Sequence, residues 1–224
     1  MTIAYILGNG SVNNNLELRF SLRSVEMFAK PDRVVVCGED PGFLSDRVDF
    51  IPDRPEGKPD DPAYGIMSNL KKLAESLDGE FVLMNDDLFL LRPLENVPYL
   101  HKGSLTDALE AVGSGAYYCH LLETRAQLRR KSLPQYHFDG HWPIVYDAKK
   151  LLDVIASFRW DVSACPCMRS LYCNSLGIEG MFSEDIKANW PQRDWKAFCE
   201  GKGSFSVQDQ SFDWKCKEYC LHLW

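Results

Sequence analysis

No stretch of the 224-residue chain is apolar for long enough to cross a bilayer, so a soluble protein is expected, with peripheral membrane contact left open. Several catalytic signatures are missing too. There is no Gly-Lys-Ser/Thr phosphate loop, and Gly8-Asn9-Gly10 lacks the third glycine of a dinucleotide fingerprint. Neither a Gly-x-Ser-x-Gly elbow nor a His-rich zinc-protease pattern occurs. Positive charge is in short supply: 25 Lys and Arg against 32 Asp and Glu leave a net charge of −7. That disfavours a surface built for a polyanion such as duplex DNA or anionic lipid. It still allows a local basic pocket for phosphate, with Lys71-Lys72 and Arg129-Arg130-Lys131 as candidates. Repeats, low-complexity tracts and linkers are absent, so residues 1–224 read as a single domain. The opening Met1-Thr2-Ile3-Ala4-Tyr5 has no basic n-region and runs straight into a strand pattern. A cytoplasmic location follows as the expectation, with the eight cysteines mostly free thiols. Cys165-Pro166-Cys167 with Cys173 lacks the two-residue gap of a zinc knuckle, which favours small buried hydrophobes over a metal.

Apolar residues make up 45% of the chain and aromatics 12%, enough for a sizeable core. The most informative segment lies inside that apolar material. Asn85-Asp86-Asp87 separates Phe81-Val82-Leu83-Met84 from Leu88-Phe89-Leu90-Leu91. Burying a carboxylate without a partner costs several kcal/mol or forces it neutral. Two in a row at a strand end call for a cation, a basic partner or water. A hard divalent cation, Mn²⁺ or Mg²⁺, prefers such oxygens and would bridge Asp86 and Asp87 to a nucleotide diphosphate. The blander reading is a polar turn with one Asp as its cap.

The first 90 residues predict strand, helix, strand, strand, helix, strand. The strands are expected at 3–7, 33–37, 48–51 and 81–84, and the helices at 17–29 and 64–77. Alternation of this kind makes an α/β fold with a mainly parallel central sheet flanked by helices, whose ligands bind beyond the carboxyl ends of the strands. Gly8-Asn9-Gly10, Gly38-Glu39-Asp40 and Asn85-Asp86-Asp87 all lie at such ends. The second half reads as irregular α+β: helices at 104–112 and 147–158, a strand at 116–119 before a basic helix at 123–131, a helix start at Ser183, and a strand at 205–207. Residues 1–100 are thus expected to bind the nucleotide, and 101–224 to supply the acceptor and catalytic half.

Other candidates each carry a plain alternative. His141 sits in His137-Phe138-Asp139-Gly140-His141-Trp142-Pro143 and can take a proton from an acceptor hydroxyl, or simply hydrogen-bond backbone. His137 and Asp139 are weaker versions of the same idea. Asp209 is a further metal ligand or base, or a helix cap. Arg169 holds phosphate, or is a solvated surface residue. Arg19 and Arg23, four apart on one helix face, meet phosphate or pair with Glu17 and Glu26.

The block Leu16-Glu17-Leu18-Arg19-Phe20-Ser21-Leu22-Arg23-Ser24-Val25-Glu26 resembles the "ELRYSLRS" block of the Stealth sugar-phosphate transferases of capsule synthesis. Residues 81–89 resemble that family's "YFNDDMF" block. His141-Trp142-Pro143 with Lys149-Lys150 is similar to its His-x-Pro block, Arg169-Ser170 to its Arg-Ser, and Ser206-Val207-Gln208-Asp209 to its final "SLND" block. The resemblance implies a GT-A-like fold acting on a nucleotide-diphospho-sugar donor. It implies metal or phosphate work at Asp86 and Asp87, a base-like His141, phosphate contacts from Arg169 and support from Asp209. The family's opening Trp-Val-Asp segment is replaced here by Gly8-Asn9-Gly10-Ser11, which carries no acid. Metal-dependent glycosyl transfer to a saccharide or other hydroxyl acceptor is therefore expected. Gly8, Asn9, Gly10, Arg19, Arg23, Asn85 and Arg169 are its nucleotide and phosphate contacts, and His141, Asp87 and Asp209 its catalytic residues. Hexose-1-phosphate transfer, a phage-type DNA-modifying sugar transferase and a non-catalytic nucleotide-sugar-binding module are the alternatives.

Overall fold

The computed structural model describes residues 1–8, 11–52, 62–160 and 162–224. Asn9, Gly10 and most of the loop expected after Asp53 lie outside them. Four parallel strands form the heart of the fold: β1 (Thr2–Leu7), β2 (Arg33–Gly38), β3 (Val48–Pro52) and β4 (Glu80–Met84). A fifth strand, β7 (Ile144–Asp147), adds antiparallel to β4, giving the order β3-β2-β1-β4-β7. The expected α/β architecture with a mainly parallel sheet is the one observed.

The strands read as continuous apolar runs because both faces of the sheet are covered. Side chains alternate across a strand. Ile3, Tyr5, Leu7, Val36, Val82 and Met84 therefore face α1 (Leu16–Phe28), which contributes Leu18 and Val25. Ala4, Val35, Cys37, Phe81 and Leu83 face the other layer. There α2 (Pro62–Glu75) brings Met67, Leu70 and Leu73, α5 (Ala148–Ser157) brings Leu151, and α6 (Met168–Ser175) brings Leu171 and Tyr172. Gly38 ends β2 at φ +130°, where an added Cβ would stand 2.0 Å from the Leu7 carbonyl oxygen, so only glycine fits this close approach.

The second apolar run after the acidic turn leaves the main sheet. It forms β5 (Leu88–Leu90), which pairs antiparallel with β10 (Ser204–Val207). Beyond β10 lies β9 (Lys187–Ala188), paired parallel to it. This small sheet packs an aromatic core, with the Phe89 and Phe205 rings 5.0 Å apart, under α7 (Trp195–Cys199) and α8 (Trp214–Leu223). A two-strand pair, β6 (Leu100–His101) with β8 (Met181–Phe182), and the helices α3 (Leu105–Val112) and α4 (Ala116–Arg130) complete the chain.

The second half departs from expectation in three places. Residues 116–119 belong to α4 rather than a strand: Leu121, Thr124 and Leu128 are buried at helical spacing and carry the aromatic start with them. The segment after Ser183 is not a helix. It runs from β8 through Asp185 into β9, in strands of two residues, too short for alternation to register. The strand β7 was hidden between a histidine loop and a helix that Asp147 caps by accepting from the Lys150 N–H at 2.9 Å. Among the described residues, no helix is long and apolar enough to cross a membrane.

Candidate functional site at the hand-over between two sheets

Asn85-Asp86-Asp87 is the turn by which the chain leaves the parallel sheet at β4 and enters the small sheet at β5. A hydrogen bond from the Leu88 N–H to the Asn85 carbonyl closes it at 3.2 Å. Both apolar flanks are buried, so the three polar side chains emerge between two packed layers, half-buried themselves. The turn shares the carboxyl edge with the ends of β1 and β2, since β4, β1 and β2 run parallel in register.

Each turn residue meets a different neighbour. Asp87 accepts from the Lys187 ammonium at 2.9 Å through one carboxylate oxygen and from the Ser206 hydroxyl at 2.9 Å through the other. Its backbone carbonyl accepts from the Val207 N–H at 3.1 Å. Asn85 accepts from the Arg169 guanidinium at 2.7 Å, and a second nitrogen of Arg169 reaches the Trp142 carbonyl at 2.6 Å. Arg169 is buried on α6 and so joins the acidic turn to the His141-Trp142 segment. Asp86 lies closest in charge to Asp87 and Glu17. Burial first, then the repulsion of Asp87 and Glu17, lifts its carboxyl to about 7. Glu17 is only 4% exposed on the sheet-facing side of α1, where the Ser11 hydroxyl and the Asn13 amide donate to it at 3.1 and 2.6 Å.

His141 is held from the same region. Its Nδ1 lies 2.9 Å from one Asp185 oxygen and 3.1 Å from the other, and its backbone N–H donates to Asp185 at 3.2 Å. Lys102 donates to the same carboxylate at 3.2 Å, as does the Lys187 backbone N–H at 3.3 Å. Burial works to raise the Asp185 pKa, but the hydrogen bond and charge of His141, then Lys102, outweigh it and hold the carboxyl well below the usual range. With Nδ1 engaged by a carboxylate, Nε2 is the imidazole nitrogen left for other chemistry. Residues 185–187 thus carry the partners of both His141 and Asp87.

The remaining candidates stand apart from this network. His137 is 3% exposed, its Nε2 is 2.9 Å from the Tyr117 hydroxyl, and burial pushes its pKa down to about 4, so it is a neutral core histidine. Asp139 accepts from the Ser170 backbone N–H at 3.3 Å and from the Ser170 hydroxyl, anchoring the start of α6. Asp209 is exposed on a single helical turn after β10, two residues past the Val207 that bonds Asp87. Arg19 and Arg23 are exposed on α1. One residue step in a helix turns about 100°, so Arg19 points roughly opposite to Glu17. Both arginines line a groove of about 720 Å³ with Leu22, Phe43, Leu44 and Val48, where the Arg19 guanidinium lies 4.4 Å over the Phe43 ring. Gly8 follows β1, and among the described residues nothing lies within 4 Å of where its Cβ would stand.

Sequence reasoning missed Glu17, Asp185 and Lys187 as members of the site. Glu17 had a usable signal: an acid on the helix face that also carries Ser21, Ser24 and Val25, all buried. Asp185 and Lys187 had none, because their partners lie 44 and 100 residues away in sequence.

The residues test a divalent cation in a definite way. Among the described residues, no three His, Cys, Asp or Glu side chains form a metal cage. Two adjacent carboxylates do fit the mode in which Mg²⁺-like ions are held by one or two protein oxygens and completed by substrate phosphates.

No protein-family model matches the chain, and no curated protein matches it. Solved structures do. The chain is similar to an active-site mutant of LgtC, with a TM-score of 0.54 and 13% identity over 100% of this chain and 95% of that one. It is also similar to the galactosyltransferase LgtC in complex with donor and acceptor sugar analogues, with a TM-score of 0.50 and 14% identity over the same shares of the two chains. At such identity the likeness is one of fold, and the fold is of the GT-A-like, Rossmann type.

Proposed function

We propose that this chain is a nucleotide-sugar-dependent glycosyltransferase that moves a sugar to a hydroxyl acceptor, a saccharide foremost. One observation carries the reading: paired half-buried carboxylates, a positioned imidazole and a buried arginine form one network at the carboxyl edge of a GT-A-like sheet. Ligands of such sheets bind at that edge. The nucleotide would lie across the ends of β1 and β2, near Gly8 and Gly38, with its diphosphate at Asp86 and Asp87. A Mn²⁺ or Mg²⁺ ion held there would take up charge on the departing diphosphate. Arg169 keeps Asn85 and the His141 segment in register and adds positive charge beside it. His141 Nε2 accepts the proton of the acceptor hydroxyl as its oxygen bonds to the anomeric carbon and the bond from that carbon to the phosphate oxygen breaks. Asp185 steadies the imidazolium that results. Arg19, Arg23 and Asp209 are left out of this reading, since no contact joins them to the turn among the described residues.

The ordered Stealth-like blocks favour a second reading, hexose-1-phosphate transfer, in which the acceptor attacks the β-phosphorus instead. The two differ in the released nucleotide: a diphosphate in the first and a monophosphate in the second. A thermal-shift screen of nucleotide sugars with and without Mn²⁺, followed by identification of the released nucleotide, tests both. Asp86→Asn together with Asp87→Asn should lose the metal-dependent shift and the turnover. Full retention of both by that double variant would remove the site assignment.

A further inference from the structure

We infer that Lys187 is a resident counter-ion that keeps Asp87 from a metal in the free protein and becomes a phosphate contact when a diphosphate binds. The inference rests on the diphosphate site proposed above. Both oxygens of Asp87 are taken, one by Lys187 and one by Ser206, each at 2.9 Å. The ion pair is shielded, with side-chain exposures of 19% for Lys187 and 18% for Asp87. A pair this enclosed does not exchange freely with water as surface pairs do.

The backbone beneath Lys187 is fixed. β9 pairs with β10 at Ser206 and Val207, and the Lys187 N–H donates to Asp185. Only the side chain is free to move, and it is a flexible four-carbon stem with a point charge at its end. A divalent ion held by Asp86 and Asp87 would compete with Lys187 for the Asp87 carboxylate. Displacement leaves a shielded ammonium without a partner, which is costly unless another anion arrives. The β-phosphate of a donor is such an anion, delivered to the adjacent residue. Metal and diphosphate should therefore bind poorly alone and well together. Thermodynamic linkage makes that coupling reciprocal.

The test titrates Mn²⁺ by calorimetry into the full chain, alone and with a panel of nucleoside diphosphates (UDP, GDP, CDP and ADP). Wild-type protein should bind Mn²⁺ weakly alone, and more tightly by about tenfold or more with the matching diphosphate, within the usual range of coupling. Lys187→Met should bind Mn²⁺ alone about tenfold more tightly than wild type, and most of the coupling should vanish. Lys187→Arg retains the charge and should behave as wild type, which controls for a folding defect in Lys187→Met. Unchanged Mn²⁺ affinity and unchanged coupling in Lys187→Met overturn the inference while leaving the diphosphate site standing. Failure of every diphosphate to bind with Mn²⁺ overturns the parent reading and the phosphate role of Lys187 with it, and the Mn²⁺-alone arm still decides whether Lys187 competes for Asp87.

Discussion

Replacing Asp86 by asparagine should make this protein more stable at pH 8 while removing its proposed activity. A carboxyl raised from 3.8 to about 7 by burial and by two neighbouring acids binds its proton more tightly in the folded chain than in the unfolded one. Between about pH 4 and 7 the native state therefore holds more protons, and stability falls as pH rises through that window. Three pH units correspond to roughly 4 kcal/mol at most. Burial is the larger cause, but the side chain is only half-buried, and solvent screening brings this to about half, roughly 2 kcal/mol. Asparagine has the shape of the protonated acid and none of the charge. Asp86→Asn should then melt about 4–8 °C higher than wild type at pH 8, for a chain of this length. Near pH 4.5 both native proteins carry a neutral side chain, and the gap between their melting points should have narrowed to a small part of its value at pH 8. Thermal melts monitored by circular dichroism from pH 4.5 to 8.5, without metal, read this directly. A variant less stable than wild type at pH 8, or a gap that does not change with pH, would refute the electrostatic account of the turn.

Two further outcomes follow from the packing and the charges. Gly38→Ala should destabilise by at least about 2 kcal/mol, because its backbone is left-handed and the Cβ would meet the Leu7 carbonyl oxygen; Gly8→Ala, with no described residue within 4 Å of its Cβ, should stay within about 0.5 kcal/mol in urea denaturation. Asp185→Asn should cost roughly 2 kcal/mol at pH 7 in urea denaturation, since His141 and Lys102 lose the carboxylate they share. Asp185 has a depressed pKa, so its stabilisation is present above the ordinary carboxylate range and drains as pH falls below it. The gap between variant and wild type should therefore shrink below about pH 4.

The first half of the fold was legible because its signals are local. Val34-Val35-Val36 and Phe81-Val82-Leu83-Met84 are buried on both faces, and such strands show as unbroken apolar runs. The acidic turn was legible for the same reason: two carboxylates interrupt a run that is otherwise core. The second half hid its structure because its strands are short and its partners remote. β8 and β9 have two residues each, and no periodicity exists over such a length. Ser183-Glu184-Asp185 imitates a helix N-terminus, yet Asp185 spends its carboxylate on His141 and Lys102 instead of capping.

The same geography explains why the site needs two sheets. A parallel sheet alone offers strand ends on one edge but no opposing wall. Here β5 continues straight from the acidic turn, and its partner β10 brings Ser206 to Asp87. The next strand, β9, brings Lys187 to Asp87, and Asp185 just before it reaches His141. The carboxylates enter from β4 and their counter-charges from β9, by separate pieces of backbone. Any shift of β9 along β10 would move the imidazole partner and the lysine together, because two residues in one extended segment carry both. The register Ser206↔Lys187 and Val207↔Ala188 is therefore the structural element on which the proposed proton acceptance and the proposed diphosphate contact both depend.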